Sequence, residues 1–541
     1  MDNSSLSRRG ALAAVVGSAV TLAVPVAAHA RPAVTDSAAL GTINDLLKSL
    51  PEGESLRLVI EDEKASPPEK GSPGKRPKLG DSYSTHGWDT VSAIRLTDVN
   101  RAIANAKVSP RKWTAKAESG VFKTRITAVG GFGVWATATG GSAEILCMEI
   151  PFDAALTVDR GDGKPRSVKI TGGVATINLR LKYIAQDGSD KRNALMVSTE
   201  PLDKTTPAVT VEDVDYSDPA KDSQTTAWLL ELLGNWFNQN LDQFKHVFAT
   251  VSLGEDVTGD LSWLKPTATG YAYHDSTTLD GAVLGVLCMT ENRDPVDIGA
   301  DQLLDAGAIV PGQRAGLNIS ADRLMNKMLI PGLCAEYNTD PSSFTYHQET
   351  VTADKLNMGA ISFAGSTYHP EITYFRADAS GGSLNLTISV NVDVSPGVTV
   401  QFDTDYSLTP VLAAKDGKQY LTYQAKQVHT QSSSTVAWWV TFTEEMAGLI
   451  VGIIFAGVGA MASMAERVGT VAVIGLVTEA VLTVLEKIPE FIAGDIPDGL
   501  PSIDNLVEKT TSCLEWADAG EFQVQQVALN GALQLSGTCF G

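Results

Sequence analysis

The chain is short of the residues on which several functions depend. Cysteine occurs 5 times in 541 residues, which excludes a small disulfide-stapled scaffold. Basic residues are also scarce, 42 Lys plus Arg against 63 Asp plus Glu, for a formal charge of −21. A nucleic-acid binder neutralises phosphates with cations, so no DNA or RNA partner is expected. General adhesion to anionic membranes is disfavoured too, although local insertion of apolar surface is not. Histidine occurs 7 times, scattered, with no H-E-x-x-H pair. There is no C-x-x-C, no Cys/His set of zinc spacing and no G-x-S-x-G elbow. Gly131-Phe132-Gly133 lacks the third glycine of a dinucleotide loop and reads as a turn or bulge. Carboxylate pairs such as Asp213/Asp215 and Glu444/Glu445 read as a solvated acidic face. With no nucleophile–base or metal set in view, the expectation is a protein without enzymatic activity, metal or catalytic cofactor.

What is present is globular composition, 43% hydrophobic and 19% charged. Ser7-Arg8-Arg9-Gly10 precedes an apolar run ending in Ala28-His29-Ala30. Charge, apolar stretch and A-x-A form the pattern of a removed export signal, here twin-arginine-like, over residues 1–30. The expected localisation is therefore extracellular or cell-envelope, of a bacterium. Residues 31–85 form an extension. Within it Ile43, Leu46, Leu47 and Leu50 give one short helical pattern between Leu40 and Ile60, and residues 61–81 are a Pro, Gly and charge linker. The folded body is expected to begin near His86. Export also leaves two readings of the cysteines: bridges Cys513–Cys539 and Cys288–Cys334, or five unpaired thiols including Cys147.

From about 119 to 216 the apolar pattern has period two, clearest at Ile177, Leu179, Leu181 and Tyr183, with Gly172-Gly173 reading as a turn. Such alternation predicts antiparallel strands with one wet face. Between Thr225 and Phe248 the steps become three and four: Trp228, Leu229, Leu232, Leu233, Trp236, Phe237, Leu241, Phe244 and Phe248. These predict a long amphipathic helix with a broad aromatic stripe. A second helix is expected from Ser320 toward Pro331. Strands follow from about 344 to 430, including Leu384 to Val394, which Pro396-Gly397 stops. An apolar region covers 436–493, and a strand pair from Phe522 to Leu535 closes the chain.

Several stretches carry a resemblance. Gly87-Trp88-Asp89-Thr90-Val91 is followed by Asp98-Val99-Asn100-Arg101-Ala102-Ile103, then Phe237-Asn238-Gln239-Asn240-Leu241 and Phe244-Lys245-His246-Val247-Phe248. Trp263-Leu264-Lys265-Pro266-Thr267, Leu329-Ile330-Pro331-Gly332 and Trp438-Trp439 come after these in order. Together they resemble the bacterial branch of the TULIP (tubular lipid-binding) superfamily, typified by the forty-seven-kilodalton protein of clostridial neurotoxin gene clusters. The resemblance implies an elongated two-module α+β fold, with strongly curved antiparallel sheets each wrapped around a long apolar helix. The modules would be 86–262 and 263–541, the second including 436–493. It implies a lipid-binding or lipid-transfer role, with a phospholipid or fatty acid held between helix and sheet. A protein-assembly role in a toxin-like complex is the alternative. The sequence reading agrees: a helix with that stripe must cover a large apolar face. Trp228, Leu232, Trp236, Phe237 and Phe244 are then the candidate lipid contacts, or core.

Met446 to Ala465 carries no charge and is long enough to span a bilayer, and Gly448 to Gly452 is a G-x-x-x-G that permits close helix approach. A second run, Val468 to Leu485, is interrupted by Glu479. The segment is either a helix packed within the protein, a hairpin that inserts into membranes conditionally, or a constitutive span. Insertion would use Trp438, Trp439, Leu449, Ile453 and Phe455. It predicts liposome binding in which fluorescent labels placed across 446–485 meet lipid-phase quenchers; unquenched labels on bound protein remove that reading.

Overall fold

A computed structural model describes residues 56–60, 83–437 and 502–539, apart from short breaks, together with the isolated positions 449, 450, 453 and 468. The chain divides into two units. One comprises Asp81–Leu324, Leu412–Tyr420 and Pro501–Gly541; the other comprises Met1–Gly80, Met325–Val411 and Leu421–Leu500. Residues 263–324 and 501–541 thus cluster with 81–262, so the division differs from the sequential one at 262/263.

The strands are numbered along the chain. β1 (Leu56–Ile60) takes up part of the stretch expected as a helix and pairs in parallel with a late strand. The larger unit then opens with β2 (Thr90–Arg95), which leads directly into helix α1 (Leu96–Ala106). Next come β3 (Lys112–Ser119), β4 (Thr124–Phe132), β5 (Ala136–Ser142), β6 (Ile145–Asp159), β7 (Arg166–Gln186), β8 (Ser189–Val197) and β9 (Val209–Asp215). Helix α2 (Ser223–Gln239) precedes β10 (Val247–Ser252), β11 (Pro266–His274), β12 (Val283–Thr290) and β13 (Ala315–Ser320). The period-two stretch forms the long hairpin β6–β7, whose inward residues alternate with wet ones. Gly172-Gly173 is not a turn. β7 runs through it, and the β6 register shifts between Phe152 and Ala154. Gly172 has φ +63°, and a Cβ on Gly173 would lie 2.6 Å from the Phe152 ring. Two glycines therefore let one 21-residue strand bulge over an aromatic side chain.

The expected helix from 225 to 248 is shorter, and among the described residues no long apolar helix is wrapped by a sheet. Asp222 caps α2 by accepting from Thr225 N at 2.8 Å. Asn238 and Asn240 end it, their side-chain amides donating to the carbonyls of Gly234 and Trp236. The Asn240 amide satisfies the Trp236 carbonyl, which the N–H of a further helical residue would have used. β-Branched Val247, Thr250 and Val251 then join the strand β10.

The smaller unit begins where the helical run from Ser320 continues. Ser320 Oγ accepts from Arg323 N as foreseen, and the run passes through a π-helical turn, Leu324–Leu329, into Ile330–Tyr337. Pro331 lacks an N–H, and the wider turn just before it absorbs the missing bond. The strands there are β14 (Thr345–His347), β15 (Thr350–Ala353), β16 (Leu356–Asn357), the separate pair β17 (Ile361–Phe363) and β18 (Ser366–Tyr368), β19 (Glu371–Ser380), β20 (Ser383–Ser395) and most of β21 (Val398–Lys415) and β22 (Lys418–Val436), whose joining ends, Leu412–Tyr420, fall in the larger unit. β19 to β22 form an antiparallel meander, and β20 ends at Pro396-Gly397 as its sequence requires. β23 (Leu514–Trp516), β24 (Gln523–Leu529) and β25 (Ala532–Thr538) belong to the larger unit.

In the larger unit β10 to β13 build two sheets with their neighbours. One runs β23-β10-β8-β7-β6-β4-β3, with β5 on β6 and β9 on β7; the other runs β11-β12-β2-β13-β25-β24. Every residue of β12 and β13 is buried. Asp89, itself fully buried, fixes how this second sheet assembles. Its amide donates to Cys288 O at 3.1 Å, and its carbonyl accepts from Ser320 N at 2.9 Å. Its carboxylate accepts from Thr290 N and Thr290 Oγ1, each at 2.8 Å, and from Arg323 Nη2 at 3.2 Å. Arg293 Nη1 also pairs with it and reaches Asp322 at 3.0 Å. Asp98, likewise fully buried, takes Arg314 through two parallel bonds at 2.9 and 2.7 Å, and also pairs with Arg101.

Removing the charge of Asp89 leaves Arg293 and Arg323 only their outer carboxylate partners, Asp322 and Glu291, and takes away the buried countercharge that both share. Asp89→Asn should therefore destabilise the larger unit by about 3–5 kcal/mol, whereas Asp322→Asn, at a 38% exposed partner, should cost less than about 1 kcal/mol. Urea midpoints of the two variants test this ordering.

Candidate functional site

Helix α2 lies on β9 and β3. Four of the five candidate lipid contacts meet there. Leu232 and Phe237 are fully buried, and Trp236 and Phe244 nearly so. Trp228 is half-buried against the same core. What faces them is a second set of aromatics, from β3, β4 and the connection between β4 and β5. Phe132 lies 4.9 Å from Trp236 and stacks on Phe237 at 5.8 Å. Trp135 sits edge-on to Phe244 at 4.8 Å and to Phe237 at 5.8 Å. Trp113 stacks on Phe132 at 5.8 Å. These centroid spacings are those of direct ring contact. The layer between helix and sheet here is occupied by side chains.

Beneath it lies His246. Its Nε2 is 3.0 Å from Ser109 Oγ, and its ring is tilted against Trp135 at 5.6 Å. His246 Nδ1 and the indole nitrogens of Trp113 and Trp135 are buried without a hydrogen-bond partner among the described residues. Each such group costs roughly 1–3 kcal/mol, which the burial of several large rings offsets. Burial also holds the His246 pKa down at about 4.

A cavity of about 580 Å³ opens elsewhere in the larger unit, under the segment from Thr511 to Phe522. Its walls include Leu317, Leu514, Trp516, Phe522 and Cys539, with Glu515, Asp518 and Glu521 among the lining residues and no Lys, Arg or His. The volume lies in the range of small-molecule sites. No sequence pattern marked it, because its lining comes from segments more than 400 residues apart in the chain, such as Ser92 and Gly520.

Two of the motifs behind the family resemblance make packing contacts. The indole of Trp88 donates to Asp301 O at 2.9 Å. Asn100 Nδ2 donates to Thr137 O at 2.9 Å, and Asn100 Oδ1 accepts from Thr137 N, which ties α1 to β5. The bridges Cys288–Cys334 and Cys513–Cys539 are not formed, and none of the five cysteines is in a disulfide. Burial, with Cys513 and Asp89 among its neighbours, pushes the Cys288 thiol up to about 12. Cys539 instead sits by Asp98, Arg101 and Arg314, with its thiol also raised by burial. Cys334 belongs to the smaller unit. Of the membrane candidates, Leu449 and Ile453 are described as helical, and Ile453 is fully buried. Trp438, Trp439 and Phe455, like the export signal and the linker, lie outside the described residues. Among the described residues no helix is long and apolar enough to cross a membrane, and no group of His, Cys, Asp and Glu is placed to hold a metal.

Residues 85–537 match a family model described as OrfX-like: Protein OrfX2/OrfX3/P47. Protein OrfX3 of Paraclostridium bifermentans is 27% identical over 491 residues, covering 84% of this chain and 98% of that protein. Protein OrfX3 of Clostridium botulinum (strain Kyoto / Type A2) is 26% identical over 497 residues, with the same coverage. Among solved structures, P47 from Clostridium botulinum A2 superposes with a TM-score of 0.57 at 18% identity, covering 84% of this chain and 98% of that one. P47 of Clostridium botulinum E1 gives 0.53 at 16% identity, with 85% and 100% covered. The shared fold is mostly antiparallel sheet with few helices.

His246 generates a pH prediction. Its neutral form is favoured in the folded protein, while the unfolded chain binds a proton with an ordinary pKa near 6.5. Stability should thus fall as pH drops from about 6.5 to about 4 and level off below, by on the order of 3 kcal/mol from this residue. Carboxylates titrate in the same window, so the measurement is the difference in urea midpoint between wild type and His246→Phe at pH 7 and at pH 4.5. The wild type should lose more.

Proposed function

Because the chain belongs to the OrfX-like family, we propose that it is an exported, non-enzymatic accessory protein of a toxin-like complex, acting through protein–protein assembly. The observation that supports this reading is the aromatic layer between α2 and the sheet. Phe132, Trp135, Trp236, Phe237 and Phe244 are in mutual ring contact there, where a lipid carrier would leave room for an acyl chain. A core packed in this way makes the unit a rigid body, which suits a scaffold. Export is carried by residues 1–30, and the mature chain remains strongly acidic.

A TULIP-type lipid-binding role is the second reading, favoured by the cavity of about 580 Å³ with Trp516 and Phe522 in its wall. Its lining carries three carboxylates, Glu515, Asp518 and Glu521, of which Glu515 is paired with Arg192 at 3.2 Å.

Native mass spectrometry of the exported protein, purified without detergent and then mixed with phosphatidylcholine–phosphatidylglycerol vesicles, separates the two. The assembly reading predicts the bare chain mass before and after. A discrete added mass that extracts as lipid would overturn it.

A further inference from the structure

Five large apolar side chains are exposed among the described residues, and three of them fall in one short segment: Val296 at 84%, Ile298 at 38% and Leu303 at 45%. Scattered single exposures need no explanation, but a local cluster does. This cluster is not on a loose loop. Asp294 accepts from Val296 N at 2.8 Å, and Ile298 N donates to Asp294 O. Gly299 turns the chain at φ +71°, and its amide and that of Ala300 return to Val296 O and Pro295 O.

The family motif at the start of the folded body grips the same segment from behind. Asp301 N donates to His86 O at 3.0 Å, and Trp88 Nε1 donates to Asp301 O at 2.9 Å. His86 Nε2 pairs with Asp305 at 2.9 Å. Gly87, at φ +88°, lets the backbone approach Ala300 so closely that a Cβ would lie 3.0 Å from its Cα. A buried tryptophan, a close glycine contact and the His86–Asp305 hydrogen bond thus brace a segment in which Val296 stands out in water and Ile298 and Leu303 are partly exposed. Rigid apolar side chains held in place ahead of binding lose little entropy on docking.

The charge around the cluster describes its counterpart. From 294 to 305 there are four aspartates, Asp294, Asp297, Asp301 and Asp305, and no Lys or Arg. The preceding Arg293 is committed to Asp89 and Asp322. An anionic membrane or a second copy of this acidic chain would be repelled. We infer that the segment Asp294–Asp305 is a preformed docking knob, with Val296, Ile298 and Leu303 entering an apolar cleft rimmed by Lys or Arg on a partner protein. This rests on the assembly reading and says which surface that reading uses.

The test uses the full chain and a random-peptide display library. Panning on wild type should enrich peptides that combine aliphatic or aromatic residues with Lys or Arg. Binding of those peptides, followed by fluorescence anisotropy, should weaken about tenfold or more in Val296→Asp and also on raising salt. Val296 has almost no packing to lose, so circular dichroism and the thermal midpoint of Val296→Asp should match wild type. Leu303→Asp serves as an independent variant with the same expected loss. Three results overturn the inference: no enriched binder, binders that ignore both variants, or enriched peptides without basic residues. Concentration-dependent dimerisation or vesicle binding that Val296→Asp abolishes would also overturn it, by giving the knob a different occupant. Failure of the assembly reading itself registers separately, as lipid uptake that is unchanged in Val296→Asp.

Discussion

One buried carboxylate sets the frame of the larger unit. Asp89 is fully buried at the start of β2, where the strand enters between β12 and β13. Its backbone is bound from both sides, by Cys288 and Ser320, and its side chain takes Thr290, Arg293 and Arg323. A buried charge is tolerated only where nearly every acceptor site is filled by a well-placed donor. A strand slipped by one residue would move those donors out of reach. The cluster therefore specifies register as much as it adds stability. Asp98 repeats the device at the far end of β2, with Arg314 as its fork.

That frame explains why the recognisable motifs cluster near the start of the folded body. Gly87, Trp88 and Asp89 serve three neighbouring contacts: approach to Ala300, support of Asp301 and neutralisation of two arginines. None of these touches the helix–sheet layer around α2, which packs on its own aromatics. The unit thus has a dry aromatic core in one place and a charged lock in another, and the exposed knob is braced from the lock. Trp135 and Phe237 are fully buried in that core.

Much of this was legible in the sequence where one physical effect dominated. Alternation over Ile177 to Tyr183 and Leu384 to Val394 marked real strands, because each has one wet face. Ser320 was recognisable as a cap. The strand Val283–Thr290 gave no alternation, because both of its faces are covered. The α2 helix was overextended because Phe244 and Phe248 continue a helical spacing by chance of the fold: a short 3-10 turn, Leu241–Gln243, carries the chain into β10 on the same core. Arg293, Arg314 and Arg323 had no signature at all, since pairing across some two hundred residues leaves no local pattern. Val296 and Ile298 were invisible for a related reason. A short Asp-Pro-started turn with two apolar residues reads as an ordinary loop until its exposure is known.

The central claim is that the α2–sheet layer is a filled core and that the protein works by surface contact. Hydrogen–deuterium exchange of the whole chain, with and without phospholipid vesicles, tests it most directly. The account predicts slow exchange throughout Leu229–Phe237 and Lys112–Ser119 that vesicles leave unchanged. Exchange that is fast in the free protein and becomes protected when lipid is added would contradict it, because it would mean that the layer opens to take an acyl chain.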